Sequence, residues 1–97
     1  MYSIDTRIKD STFEGLKVQK LWTCDTAETL LITMDEGVDF PQHTSPRDAL
    51  LVVLQGNIEF KIQKKNIMLT KWDAFNFPAE EAHEVHAHSP SKFLIIR

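Results

Sequence analysis

The chain has 97 residues, enough for one domain with its own core. Hydrophobic residues make up 42% and charged residues 26%, a balance that supports a soluble core-forming domain. The formal charge of -3 carries no basic patch, which argues against nucleic acid and anionic membrane partners, and no apolar run nears the roughly 18 residues that a membrane helix needs.

In chain order, residues 1–15 are polar and read as a short N-terminal arm, followed by one domain over 16–97. The opening MYSIDTRIKD lacks the apolar stretch of a signal peptide. Short runs rich in Val, Ile, Leu, Phe and Thr then recur at 16–23, 29–34, 50–54, 58–63, 67–69, 74–77, 83–87 and 92–96. None is long enough to argue for a helix. Gly37, Gln55-Gly56-Asn57, Lys64-Lys65-Asn66 and Pro78-Ala79-Glu80 read as turns between them. Many short strands at this spacing predict an all-β, antiparallel sandwich or barrel. The single cysteine, Cys24, has no partner for an internal disulfide and is expected to be a half-buried structural residue in a cytoplasmic protein.

Several runs are apolar on both faces. Ala49-Leu50-Leu51-Val52-Val53-Leu54 shows no alternation, nor do Leu30-Leu31-Ile32 and Phe93-Leu94-Ile95-Ile96. A strand with one wet face alternates, so the second face of these needs cover, from the arm or from a second subunit. A homodimer is the expected source, with Leu50, Val52 and Leu54 in one row and Leu51 and Val53 in the core.

Two histidines sit in spaced patterns. Around the first the chain reads Gly37, five residues, His43, one residue, Ser45, three residues, Ala49, six residues, Gly56. Around the second it reads Trp72, Asp73, four residues, Pro78, four residues, His83, three residues, Ala87. This resembles the two-motif signature of the cupin superfamily, G-x5-H-x-H-x3,4-E-x6-G and G-x5-P-x-G-x2-H-x3-N, over roughly 37–96. The resemblance implies a single-domain cupin or jelly-roll β-barrel, of the small conserved-barrel type, that commonly pairs as a dimer. It also implies a metal held by two His and a Glu from the first motif and one His from the second. Here His43 and His83 stand at the first and last of those positions, Ser45 at the second His and Ala49 at the Glu. Trp72 and Glu80 stand where the family carries glycines.

The expected site therefore holds His43, Ser45 and His83, with Phe40 at the mouth and Arg47 as the nearby cation that attracts an acidic ligand. Half a ligand set predicts weak or absent metal, so no cofactor is expected unless a divalent iron, zinc, manganese or nickel ion is held by His43, His83 and a loop carboxylate such as Glu80 or Glu81. Strand alternation places Val85 and Ala87 inward with His83, and Glu84, His86 and His88 on the other face of a solvated edge strand. Three functions fit. One is binding of a small, partly polar molecule, such as a carboxylate, sugar or phenol, in the barrel interior. A second is a metal-dependent enzyme of dioxygenase or isomerase type with an atypical ligand set, and a third is a non-catalytic dimeric scaffold.

Overall fold

The computed structural model describes residues 2–97. The short runs form nine strands: β1 Leu16–Thr23, β2 Glu28–Met34, β3 Asp39–His43, β4 Ala49–Gln55, β5 Asn57–Ile62, β6 Lys65–Thr70, β7 Ala74–Phe77, β8 His83–Ala87 and β9 Ser91–Ile96. All pair antiparallel, in a five-stranded sheet of order β1-β2-β9-β4-β7 and a four-stranded sheet of order β3-β8-β5-β6. From β2 onward the chain crosses between sheets at most connections, the wiring of an antiparallel jelly roll. The core lies between the sheets, where Ile32, Met34, Leu51, Val53, Ile58, Phe60 and Phe93 are fully enclosed.

Three departures from the sequence reading have physical causes. Residues 39–43 form β3 although Pro41 interrupts them. Pro41 has no amide hydrogen, so the strand lies at a sheet edge and its register slips between Phe40 and His43. The β5–β6 turn falls at Gln63-Lys64 rather than 64–66. Both residues take positive φ, 50° and 61°, as a two-residue hairpin with the right twist demands, and Lys65 and Asn66 belong to β6. Finally, β8 is an interior strand, flanked by β3 and β5, and not a solvated edge.

The polar N-terminal segment contains one helical turn, α1 Arg7–Asp10, ahead of β1. It folds back on the five-stranded sheet. The Arg7 guanidinium donates to the carbonyls of Lys20 and Leu21, and the Lys92 ammonium donates to the Ile8 carbonyl at 2.6 Å while lying over the Phe13 ring. Beneath it Leu31 and Thr33 are wholly buried although they point away from the core. The arm thus supplies part of the cover that the two-sided apolar strands require. No helix among the described residues is long and apolar enough to cross a membrane.

Candidate functional site

The slip in β3 sets the site. In a regular strand Phe40 and His43 fall on opposite faces, being three residues apart. The extra residue brings them to the same face, where their rings stack at 4.1 Å. His43 lies opposite His83 in the ladder, and the two Nε2 atoms are 3.1 Å apart. His83 is positioned by the alternation of β8, which buries His83, Val85 and Ala87 and turns Glu84 outward. Phe60 and Phe77 press against His83, with ring centroids 5.2 and 4.6 Å away.

The hydrogen-bond partners fix the imidazole tautomers. His43 Nδ1 lies 2.7 Å from the Pro41 carbonyl, and His83 Nδ1 lies 2.9 Å from the Glu81 carbonyl. A carbonyl only accepts, so both Nδ1 atoms donate. In the neutral pair, both Nε2 atoms are then bare acceptors that converge on one point. Burial, followed by the influence of His43 and Arg97, holds the His83 pKa below its ordinary value and so favours the neutral ring, although the bond to the Glu81 carbonyl opposes the shift.

A cavity of about 190 Å³ opens beside this pair. His43, Ser45, His83 and Phe40 all line it, with Thr44 and Arg97 as its other polar residues, and the rest of its walls are apolar, including Leu51, Phe60, Val85 and Phe93. Ser45 sits in the β3–β4 connection, buried, with its hydroxyl donating to the Arg47 carbonyl at 2.7 Å. Phe60 and Phe77 occupy the core beside His83 without filling the space.

Arg47 is not the cation of this cavity. Its side chain is exposed, turns to the Thr26 carbonyl, and borders a separate surface depression with Cys24. The cation is Arg97, which lines the cavity and reaches toward Ser45 Oγ at 3.4 Å. Sequence reasoning passed over it, although a period of two through Phe93 and Ile95 continues to residue 97. Cys24 is also placed differently from expectation. It is exposed in the β1–β2 turn, where a hydrogen bond with Thr26 is the main cause of a lowered thiol pKa. His86 lies on the outer face of β8, bonded to Asp39 at 2.6 Å, and His88, just past the strand's end, is bonded to Glu59 at 2.8 Å.

The donor set can be tested against a metal. Two imidazole nitrogens 3.1 Å apart suit neighbouring ligands on one ion, since metal–nitrogen bonds of about 2.0–2.1 Å put such pairs roughly 3 Å apart. A third protein donor is missing. Among the described residues no group of three His, Cys, Asp or Glu side chains converges. Ala49 offers a methyl group, and Asp48 accepts from the Ala79 amide. Neither Glu80 nor Glu81 lines the cavity, and a fixed cation, Arg97, does. The residues present therefore do not fit a resident catalytic ion with three protein ligands.

Two antiparallel sheets around an interior cavity, with histidines facing each other from neighbouring strands, define a small cupin-type barrel. The chain belongs to the cupin family, whose Cupin domain profile matches residues 30–97. It is similar to an RmlC-like cupin protein from Desulfovibrio desulfuricans, with a TM-score of 0.86, 18% identity, and coverage of 99% of this chain and 95% of that one. It is also similar to a cupin superfamily protein from Desulfitobacterium hafniense DCB-2, with a TM-score of 0.81, 21% identity, and 90% and 80% coverage. A third similar structure is KdgF from a Halomonas species, with a TM-score of 0.77, 23% identity, and 84% and 78% coverage. At these identities the likeness carries the fold alone. No curated protein matches the chain.

Proposed function

We propose that this cupin binds a small, partly polar molecule in its barrel interior and holds metal weakly or not at all. The observation that carries this reading is a cavity with apolar walls and a polar end built from His43, Ser45 and His83. Small-molecule sites combine these features, an apolar enclosure for affinity and a few polar groups for orientation. The two bare Nε2 atoms accept one hydrogen from a ligand, and no ionisable carboxylate competes with it inside the cavity. We place the protein in a reducing cytoplasm, consistent with its single free cysteine, and as a homodimer through the outer face of the five-stranded sheet.

Thermal-shift screening of small molecules with a polar head and a compact apolar body tests the reading, because binding to the native state alone raises apparent stability. Stabilisers are expected whose effect falls in His83→Ala. A broad screen without one, or stabilisers indifferent to His83→Ala, would refute it. A metal-dependent enzyme is the second reading. It draws support from one observation: both imidazoles donate Nδ1–H to backbone carbonyls, as metal-ligating histidines do.

A further inference from the structure

We infer that the occupant of the barrel is a small organic acid, with its carboxylate held at Arg97 and its compact apolar body against the phenylalanine wall. This deepens the binding reading above and rests on it. Arg97 is the one formally charged side chain lining the cavity among the described residues, and no Asp or Glu lines it. The fixed charge facing the interior is therefore positive.

The guanidinium is held from behind. The main chains of Arg97 and Glu28 exchange two hydrogen bonds, at 2.6 and 3.0 Å, which extend the β2–β9 ladder by one residue. Arg97 Nε then donates to Glu28 Oε1 at 2.8 Å. Glu28 is also shared with the Lys20 ammonium, 3.5 Å from its other oxygen. Using Nε for Glu28 leaves donors on the two Nη atoms, and Nη1 reaches toward Ser45, a residue of the cavity lining, while Arg97 also borders the surface depression beside Arg47. A guanidinium anchored this way presents a preorganised fork, the geometry that suits a carboxylate. Glu28 is a positioning residue in this arrangement.

The size of the space limits the rest of the ligand. Its volume of about 190 Å³ is slightly more than the roughly 150 Å³ of a cavity that takes one benzene ring. Phe40, Phe60, Phe77 and Phe93 offer ring faces and edges for such a body. The class is therefore a monocarboxylate with one ring or a short branched chain, not a sugar acid or a dicarboxylate.

Benzoate and its neutral isostere benzamide separate charge recognition from cavity filling. Titration calorimetry on the full chain is expected to show benzoate binding at least about tenfold more tightly than benzamide. In Arg97→Gln, benzoate is expected to fall to the benzamide level. In Arg47→Gln, outside the cavity, it is expected to keep its wild-type affinity. The comparison in wild-type protein stands even if Arg97→Gln fails to fold. Equal binding of acid and amide, or benzoate affinity unchanged in Arg97→Gln, overturns the inference while leaving the cavity reading intact. Binding of neither compound at millimolar concentration also overturns it, and the His83-dependent screen then judges the broader reading separately.

Discussion

His43 and His83 each commit their Nδ1 hydrogen to a carbonyl two residues earlier in the chain, Pro41 and Glu81. That choice leaves two lone pairs facing each other across 3.1 Å, a pair that needs a donor or an ion between them. Two donors are too few to hold an ion firmly. Protein purified without added metal is expected to carry well under one equivalent of iron, zinc, manganese or nickel. Elemental analysis giving a full equivalent that vanishes in His43→Ala would sink this expectation. The converse variant, Ser45→His with Ala49→Glu, restores both missing ligands at the family spacing. Its zinc affinity is expected to exceed that of wild type by at least about tenfold. No gain would mean that Ser45 and Ala49 do not occupy the ligand positions. The facing of His43 and His83 was legible because the spacing that marks each of them is local to its motif. Arg97 was not, because its approach to Ser45 depends on the pairing of β9 with β4, residues far apart in sequence. Arg47 looked closer only because sequence distance was the available measure, and its side chain leaves toward Thr26.

At the scale of elements, the expected runs at 16–23, 74–77 and 83–87 coincide with β1, β7 and β8, and those at 50–54 and 92–96 fall within β4 and β9. The run at 39–43 was hidden by Pro41, the residue whose bulge aims His43 inward. Turn conformation was legible in part. Trp72 and Glu80, which replace family glycines, still take the backbone a glycine would, with φ of 73° and 68°. A left-handed conformation costs a non-glycine residue about 1–2 kcal/mol, while glycine loses roughly 0.5–1 kcal/mol of chain entropy. Glu80 is exposed and contributes its main-chain amide to the Ser45 carbonyl at 2.9 Å, a bond that glycine keeps. Glu80→Gly is therefore expected to stabilise by about 0.5–1 kcal/mol, a rise in Tm of roughly 2–8 °C for a domain of this size. A melting curve unchanged or shifted downward would show that the turn holds Glu80 without strain. Gly56 marks the opposite limit: its φ is 90° and an added Cβ would run into the Pro90 carbonyl and Ser91, so the β4–β5 hairpin excludes any side chain there.

The whole molecule divides the outer face of its five-stranded sheet into two halves. One half, over β2 and β9, lies under the N-terminal arm, which leaves Leu31 and Thr33 inaccessible and Lys92 nearly so. The other half, over β4 and the end of β9, has no such cover. Leu50 pairs with Ile96 and Val52 with Leu94 across the ladder. Leu50 and Ile96 remain 39% and 37% exposed, with Val52, Leu54 and Leu94 partly so. The absence of alternation in these strands thus has two origins, the arm on one side and an unpartnered apolar row on the other. Complete burial of a large apolar side chain is worth about 1.5–3 kcal/mol, and these five would recover part of that on meeting a like surface. A two-fold dimer places the same patch on both partners. Wild-type protein is expected to be a homodimer at micromolar concentration by light scattering. Val52→Lys puts a charge at the centre of the row and is expected to give a folded monomer. A stable wild-type monomer would remove the subunit explanation and leave the half-exposed row as plain surface. Dimerisation that persists in Val52→Lys would move the interface to another face of the barrel.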